Sequence, residues 1–569
     1  MSLQGPAVAL LRSFSMTKLR TLLPRLCLLL LTGALLASCG GDPISAREGA
    51  EKKIFLVNLA TEARYLDLQR CNSVTEHHIM LSLYQGLVCE NRNTDTDVEP
   101  GMAESWEANA DKSVWTFHIR KDAKWSDGVP FTAHDFVWSW RRMLRKELGA
   151  QYSEMLFMLK NGKELYDGKV KEEELGVRAV DDYTLDVTLV GPTPYFLLLA
   201  CHTSWWPVPR HVIEKYGAIC DVMNPWTDED KLVGNGPFKM KKYLFRQYIQ
   251  VERNPVYWDA ANVKLDGVRF YSIESADVEE RLFRRGQLHA TYSTPLSKIP
   301  DYLKNHPDVA RNYVNCASWY FRINTTRGAL KDARVRRALA FALDRSSIID
   351  NVLRARQLPA GGMVPPMKGY TQVKEFSLNL PEAKRLLAEA GFPDGKGFPQ
   401  FNILISKNET ARQLSEAVQA MWQKNLGISV GVSQQDFTVY LTSQQNLDYD
   451  LSWAGWNADY YDPATFIDMW MTDGGNNNTG WSNKEFDQLL ADARQCADAA
   501  KRLGILTEAE KILMREAPVL PVYFGTRTRL IHPAVKEWQV RLMDNRLWQF
   551  MDLQHPAPPS SMDADLNRN

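Results

Sequence analysis

The sequence predicts an α/β protein with more than one domain. Strand-like and helix-like patterns alternate on both sides of the middle of the chain, which favours sheets flanked by helices. The C-terminal half contains a βαβ unit, in which strands at Phe401–Ile405 and Ile428–Val432 flank a helix that includes Trp422. A chain of 569 residues is long enough for about two to four domains with cores of their own.

Composition and motifs exclude several classes of function. Apolar residues make up 45% of the chain and charged residues 24%, as in ordinary globular proteins. The 68 basic and 68 acidic residues cancel, and no basic stretch is interleaved with aromatics, which argues against a nucleic-acid partner. The histidines are scattered, and the sequence has no HExxH, GxSxG or GxxxxGK-type motif. We therefore expect no catalytic residue, no metal and no cofactor.

The N-terminus predicts export and lipidation. Basic residues between Arg12 and Arg25 precede an apolar run that is too short to span a bilayer comfortably, so residues 1–38 are predicted to be a signal peptide. The run ends in Leu36-Ala37-Ser38-Cys39, which resembles the lipobox of bacterial lipoproteins. We expect Cys39 to anchor a periplasmic protein to the extracytoplasmic face of the envelope, followed by a lipidated linker over 39–52. The alternative is an ordinary signal peptide with an incidental cysteine.

The remaining elements follow from local patterns. Turn signals and apolar periodicity predict strands at Ile54–Val57 and Val114–Arg120, and helices at Val74–Leu83, after the cap Thr132, around Val335–Ala342 and from Pro381 to Gly391. The Pro-, Ser- and Asp-rich tail over 555–569 is predicted to be disordered.

The cysteines after the lipobox show no metal-binding spacing. An oxidising compartment permits disulfides, and Cys201 and Cys220, which are close to each other in sequence, are the candidate bridge. These six cysteines are Cys71, Cys89, Cys201, Cys220, Cys316 and Cys496.

The stretch Ala454–Pro463 has the composition of a binding site. The alternating run Tyr449–Trp453 predicts a strand, which Asp462-Pro463 stops, so Asp459 lies at a strand end. Gly455 would allow another backbone to approach, and Trp456 and Tyr460 would supply apolar walls with polar tips. These residues suit an extended ligand that carries an amine. The alternative is a turn in which the aspartate is only a cap.

A series of motifs resembles a known family along most of the chain. The motifs are Ala103–Trp106, Trp115–Phe136, Tyr183–Leu189, Gly234–Phe238, Arg253–Trp258, Phe321–Asn324 and Asp332–Leu339. Together, in order and over roughly Ile54 to Leu553, they resemble the bacterial extracellular solute-binding proteins of family 5, the receptors of peptide, nickel and related ABC importers. The resemblance implies a two-lobed periplasmic-binding-protein-like fold (type II, cluster C) with an extra inserted domain and a hinged ligand cleft.

The same resemblance implies the domain bounds. Lobe I is expected to be discontinuous, over 53–84, 210–315 and 525–554. The inserted domain II would cover 85–209 and lobe III 316–524, with two crossings that act as a hinge near Asn315 and Phe524.

Within the family, Ala454–Pro463 resembles the oligopeptide-binding branch, whose members carry a Gly-Trp-x-Ala-Asp-Tyr segment. The resemblance implies that Asp459 holds the ammonium group of the peptide N-terminus, that Tyr152 lies in the cleft and that Phe437 forms the aromatic wall of a side-chain pocket. The alternatives are that Val74 and Phe437 are core residues and that Tyr152 is a surface aromatic. Main-chain binding is expected from Ala454, Gly455, Trp456 and Asn457 on one lobe and from Asn72 to Val74 on the other.

Several positions depart from the family pattern. Asn457 stands where a cysteine is expected, so Cys316 loses its expected disulfide partner, and Asn72 replaces an acid. Gln444 and Trp453 stand at two basic positions that help to hold the carboxylate end of the ligand. The length and the carboxylate end of the ligand therefore stay open.

The sequence as a whole predicts a monomeric, non-enzymatic substrate-binding component of an ABC importer. It would capture extended oligopeptides between two closing lobes and deliver them to permease subunits, and it would contact the membrane through its lipid anchor only. The alternative ligands within the family are murein peptide, dipeptide, nickel, haem and oligosaccharide.

Overall fold

The computed structural model describes residues 44–562. The predicted signal peptide and the predicted lipidation site Cys39 lie outside these residues and stay predictions. Among residues 44–562, no helix combines the length and the apolar composition that crossing a membrane requires.

Eighteen strands form the sheets of the described residues. In chain order they are β1 (Ile54–Asn58), β2 (Val88–Glu90), β3 (Val98–Pro100), β4 (Ala103–Ala108), β5 (Val114–Ile119), β6 (Val177–Asp181), β7 (Thr184–Thr188), β8 (Phe238–Leu244), β9 (Tyr248–Arg253), β10 (Gly267–Tyr271), β11 (Ala310–Ile323), β12 (Leu358–Pro359), β13 (Phe401–Ser406), β14 (Val430–Gln435), β15 (Leu451–Asn457), β16 (Val519–Leu530), β17 (Val535–Lys536) and β18 (Asp552–Leu553).

The α-helices alternate with these strands, as the sequence predicts. In chain order they are α1 (Ala46–Glu51), α2 (Val74–Leu83), α3 (Ala133–Met143), α4 (Gly162–Tyr166), α5 (Phe196–Ala200), α6 (Arg210–Tyr216), α7 (Ala276–Arg284), α8 (Ile299–Asn305), α9 (Ala333–Phe341), α10 (Arg345–Ile348), α11 (Leu380–Glu389), α12 (Glu409–Leu426), α13 (Phe437–Gln445), α14 (Ala464–Ile467), α15 (Lys484–Arg494) and α16 (Ala499–Glu516).

Three sheets of four or more strands organise the chain. The first has the strand order β1-β10-β9-β8, and the second, β4-β5-β7-β6, is built from the intervening segment. The third and largest has the order β12-β16-β11-β15-β13-β14. Within it β13 and β14 pair in parallel, which confirms the βαβ unit predicted around Trp422.

The apolar residues form two main cores. One takes buried side chains from Ala50 to Ala290 and again from Ile531 to Leu553. The other takes them from Cys316 to Tyr523. The chain thus passes between the two cores at β11 and β16, the longest strands of the protein's described part.

The ladder between β11 and β16 is irregular where the chain changes core. Val314 pairs with Thr526, but the next regular pair is Ser318 with Phe524, so three residues of β11 oppose a single residue of β16. That residue is Gly525, and a Cβ atom added to it would lie 2.5 Å from Asn315 Oδ1. Bulged, glycine-containing strand pairs bend more readily than regular ones.

Helix starts are defined by local capping. The predicted helix at Val74–Leu83 is confirmed, and it begins at a capping box in which Glu76 N donates to Ser73 Oγ (3.3 Å) and Ser73 N donates to Glu76 Oε2 (3.1 Å). The predicted cap Thr132 precedes α3, and its N–H donates to Asp135 Oδ2 (2.8 Å).

Some predictions differ from the structure at the ends of the chain. Part of the predicted linker forms α1, because the side chains of Ala46 and Ala50 are buried against the first core. Residues 555–562 differ from the predicted disordered tail, because Met562 is buried and Ser561 Oγ donates to Asp308 Oδ1 (2.5 Å).

The predicted Cys201–Cys220 disulfide is wrong. All six cysteines of the described residues are free. Cys201 is buried, and its thiol donates to the carbonyl of Leu197 one turn earlier (3.5 Å). Closeness in sequence did not bring the second thiol into bonding range.

Candidate ligand-binding site

Strand β15 offers an unpaired edge at the centre of the candidate site. It pairs with β11 along its whole length, from Leu451 opposite Ile323 to Asn457 opposite Ala317. On its other side it pairs with β13 only through Leu451 and Ser452. Its second edge therefore has no ladder partner beyond Ser452 among the described residues.

The main-chain groups of this edge point alternately toward β11 and away from it. The carbonyl of Trp453 points away, because it accepts a hydrogen bond from the Tyr440 hydroxyl. Antiparallel geometry then turns the N–H and C=O groups of Gly455 and Asn457 outward, and those of Ala454 and Trp456 toward β11. An extended ligand laid along this edge can pair with Gly455 and Asn457 as an added strand would.

The predicted strand is longer than the sequence pattern indicates. The alternation predicts Tyr449–Trp453, whereas β15 runs from Leu451 to Asn457. The sequence predicts that Gly455 allows another backbone to approach, but its close neighbour is a side chain: a Cβ at this position would lie 2.7 Å from the indole ring of Trp319. The side chain of the neighbouring strand, and not an approaching backbone, therefore requires glycine here.

Asp459 follows the end of β15 and is only partly exposed. Thr465 fixes the turn, because its hydroxyl accepts hydrogen bonds from Asp459 N (3.3 Å) and from Trp456 Nε1 (3.2 Å). The carboxylate accepts a hydrogen bond from the Tyr152 hydroxyl at 3.2 Å. No lysine, arginine or histidine of residues 44–562 forms a recorded ion pair with it.

The surroundings of Asp459 shift the pKa of its carboxyl group into the neutral pH range. Burial is the main cause that raises its pKa to about 7, the negative charge of Glu154 raises it further, and the Tyr152 hydrogen bond opposes both. A positive ligand group would supply the missing counter-charge and favour the ionised carboxylate.

Tyr152 reaches Asp459 from a part of the chain about 300 residues away. It lies in a 3₁₀ helix, Gln151–Met158, and its ring packs against His202 with centroids 5.0 Å apart. The nearby Asp459 charge is the main cause that raises the pKa of its phenol. The structure therefore brings the two predicted residues together, and Tyr152 is partly buried, in contrast to the alternative of a surface aromatic.

Sequence reasoning missed Glu154, two residues beyond Tyr152. The residue as a whole is exposed and forms no ion pair within residues 44–562, while partial burial of its carboxyl group raises the pKa of that group.

The segment Asn72–Val74 is held in place by one buried acid. Glu76 accepts hydrogen bonds from four main-chain N–H groups, including that of Asn72 (2.9 Å). The side-chain amide of Asn72 donates to Gln151 Oε1 (2.6 Å), next to Tyr152. Val74 is 37% exposed, so the alternative of a core residue is wrong.

Phe437 lies beside the free edge of β15. It is 64% exposed, so it is not a core residue, and its ring stacks on Tyr440 with centroids 6.0 Å apart. The Tyr440 hydroxyl donates to the carbonyl of Trp453, so the Tyr440 ring lies between Phe437 and the free edge of β15.

The two positions where basic residues were expected do not offer a charge to a ligand. Gln444 is buried, and its amide donates to Ser452 Oγ (2.8 Å) and to the Tyr440 hydroxyl (2.7 Å). Trp453 is buried and stacks on Trp319 with centroids 5.9 Å apart.

A second contact joins the same two regions beside Asp459. Tyr195 stacks on Tyr460 with ring centroids 5.7 Å apart, and the Arg502 guanidinium lies 4.1 Å from the Tyr195 ring centroid. Arg502 is fixed by a buried bidentate ion pair with Asp462, at 2.7 and 2.9 Å. Sequence reasoning missed this cluster because its partners are distant in the chain.

The polar groups near the site do not form a metal centre. No group of three His, Cys, Asp or Glu residues suited to a metal occurs in the part of the chain that the structure describes. His77 and His202 stack with centroids 6.0 Å apart, and burial lowers their pKa values to about 4 and about 3, so both are neutral.

Comparisons with known proteins agree with this geometry. The profile of the bacterial extracellular solute-binding proteins, family 5, matches residues 97–478. The chain is 34% identical over 509 residues to the periplasmic oligopeptide-binding protein OppA of Salmonella typhimurium, covering 88% of this chain and 92% of that protein. It is 30% identical over 524 residues to the periplasmic murein peptide-binding protein MppA of Escherichia coli, covering 90% and 95%.

A solved structure supports the fold. The crystal structure of Haemophilus influenzae OppA in complex with RPPGFSPFR matches with a TM-score of 0.77 at 31% identity, covering 88% of this chain and 99% of that one. The predicted α/β, two-lobed type II fold is thereby confirmed. The chain belongs to family 5 of the bacterial extracellular solute-binding proteins.

Proposed function

We propose that this protein captures extended oligopeptides for an ABC importer. The observation that carries the proposal is the unpaired edge of β15, which leads directly to Asp459, an acid that no basic side chain of residues 44–562 neutralises. Relatives that are named oligopeptide-binding proteins support the same ligand class.

Asp459 would bind the ammonium group of the peptide N-terminus. A charge-assisted hydrogen bond contributes about 1.5–3 kcal/mol, more than a neutral one. The acid is partly buried and near Glu154, so the surroundings favour a cation over water at this point.

The peptide main chain would pair with Gly455 and Asn457, with Ala454 and Trp456 completing the strand, and with Asn72 to Val74 on the other side. Such pairing ignores side-chain identity and permits many sequences. Tyr152 and Phe437 would line the cleft at its two ends.

Closure of the two lobes would complete the site. The irregular pairing of β11 and β16 at Asn315 and Gly525 suits a hinge, as the resemblance implies for this place. The Tyr152–Asp459 hydrogen bond would join the predicted inserted domain to the predicted lobe III, so opening of the cleft would break it. The closed form would then be recognised by permease subunits, and a separate ATPase would supply energy.

Mass spectrometry of the protein purified without denaturation would identify retained ligand. Calorimetry with alanine-based peptides of two to ten residues, each free or N-acetylated, tests the ammonium contact. We expect acetylation to weaken binding and Asp459→Asn to remove the difference. Equal binding of both series would exclude the Asp459 assignment. A preference for murein peptide, nickel, haem or oligosaccharide would replace the peptide assignment.

Lipid anchoring is a separate proposal about Cys39. The wild-type protein should fractionate with membranes, and a Cys39→Ser variant should be released. A variant that stays membrane-bound would contradict the anchor.

A further inference from the structure

Arg322 is a buried cation without a counter-charge. It is 5% exposed and lies near the end of β11, opposite Ser452 of β15. Its Nη1 donates to the carbonyl of Asn476 (2.6 Å), and its Nη2 makes a long contact of 3.5 Å with the Tyr320 hydroxyl. Its Nε is buried with no partner. No carboxylate of residues 44–562 is recorded as its ion-pair partner.

Two other buried arginines show what a structural role looks like in this protein. Arg336 donates to the carbonyls of three residues, at the ends of neighbouring elements. Arg345 likewise donates to three carbonyls, through its Nε and Nη1 atoms, although its Nη2 has no partner. Arg322, in contrast, donates to only one carbonyl among the described residues, that of Asn476. Most of its hydrogen-bonding capacity is therefore unused.

The surroundings of Arg322 are aromatic and neutral. Its guanidinium lies 5.2 Å from the ring centroid of Trp470 and 5.8 Å from that of Tyr320. Its charge also acts on Tyr440 and Tyr449, where it opposes the burial that raises their pKa values. Aromatic rings attract a cation only partly, and a buried charge without a partner is costly. A site of this kind is stabilised when an anion enters.

Arg322 lies opposite the residue of β15 at which the free edge of that strand begins. Ser452, its register partner, immediately precedes Trp453, whose carbonyl is held by Tyr440. From Ser452 to Asp459 is about 23 Å at a strand rise of about 3.3 Å per residue. An extended peptide whose amine binds Asp459 and which runs along β15 would bring its seventh or eighth residue, or its carboxylate end, near Arg322.

We propose that Arg322 receives a carboxylate of the bound peptide through its Nε–Nη2 side. This side of a guanidinium matches the two oxygens of a carboxylate, and here it is the side without a strong partner. The carboxylate can come from the peptide C-terminus or from an acidic side chain. The inference rests on the proposed oligopeptide function and identifies how the carboxylate end of the ligand is held.

Wild-type protein and synthetic peptides provide the first test. In the first series, calorimetry would compare alanine peptides of four to eight residues as free acids and as C-terminal amides. In the second series, it would compare amidated heptapeptides that carry one glutamate with those that carry one glutamine, placed at each position in turn. We expect a carboxylate placed within reach to improve affinity by about tenfold or more. A gain with free acids of one length indicates the C-terminus, and a gain with internal glutamate indicates a side chain. Peptides that bind with no gain in either series would overturn the inference while leaving the proposed function intact. A failure of every peptide to bind would instead overturn the function.

Variants then assign the effect to Arg322. Arg322→Gln should remove the carboxylate preference but retain the penalty for N-acetylation, and Arg322→Lys should keep part of the preference. The matched control is Arg327→Gln, which removes an exposed arginine paired with Asp448 at 3.2 Å. A preference that persists in Arg322→Gln, or that disappears equally in Arg327→Gln, would overturn the assignment. Thermal melts establish that each variant folds. If Arg322→Gln does not fold, Arg322→Lys carries the test, because a carboxylate preference that is unchanged in that variant would also overturn the assignment.

Discussion

Peptide binding should depend on pH through Asp459. The carboxyl must be ionised to hold an ammonium group, and burial is the main cause that raises its pKa to about 7. The pKa is raised, so the group is neutral below pH 7 and charged above it. Because only the charged form makes the ion pair, the apparent affinity should follow the ionised fraction.

The size of the effect follows from this value. At pH 5 about one carboxyl in a hundred is ionised, so the apparent Kd of a free peptide should be weaker by roughly 100-fold than its limiting value. A peptide amine loses its own charge above about pH 8. Affinity should therefore pass through a maximum between about pH 7 and 8. The decrease in affinity below this maximum, which we call the acid limb, is set by the protonation of Asp459.

Calorimetry from pH 5 to 9 with free and N-acetylated hexa-alanine provides the measurement. Asp459→Asn should cost about 1.5–3 kcal/mol near pH 7.5 and should flatten the acid limb. The acetylated peptide should show little dependence in either protein. An affinity for the free peptide that stays constant between pH 5 and 7.5, or a slope that survives in the variant, would refute the reasoning.

Three further changes test the surroundings of the site. Glu154→Gln should lower the pKa of Asp459, because it removes a nearby negative charge, and calorimetry should show the acid limb at lower pH. Tyr195→Ala should weaken peptide affinity roughly fivefold, the equivalent of about 1 kcal/mol of aromatic stacking in the closed form, and Tyr195→Phe should not. Asp462→Asn should lower the free energy of unfolding by about 3–5 kcal/mol in urea titrations, because it leaves buried Arg502 without its partner; a loss below 1 kcal/mol would contradict this.

Local patterns predicted the elements whose stability is local. The helix at Val74–Leu83 and the βαβ unit around Trp422 are confirmed, because capping and periodicity are properties of neighbouring residues. Strand β15 was predicted too short. Gly455 and Asn457 have low strand propensity, but the long strand β11 offers them a ladder, and tertiary pairing overrides propensity.

The candidate site likewise combines residues that the sequence predicted with contacts that only the tertiary structure reveals. The resemblance predicted Asp459 and Tyr152 separately, and the structure joins them by a hydrogen bond. No pattern in the sequence indicated Glu154 or the Tyr195 stack, because these contacts are made between segments far apart in the chain. Arg322 escaped notice for a related reason: a missing counter-charge becomes visible only when every neighbour is known.

The contacts suggest that the two ends of a peptide have different roles. Tyr152, Glu154 and Tyr195 all come from the predicted inserted domain, and all act around Asp459 or the adjacent Tyr460. The amine end would therefore couple binding to closure, because it contributes charge at the place where the two regions meet. Arg322 and the β15 edge both lie within the predicted lobe III, so we expect a carboxylate bound there to add affinity without closing the cleft. A peptide blocked at its amine should accordingly bind weakly to an open form, whereas amidation should weaken binding and leave closure intact. Small-angle scattering with each peptide at saturation would distinguish the two, and equal compaction by the acetylated and free peptides would contradict this division of roles.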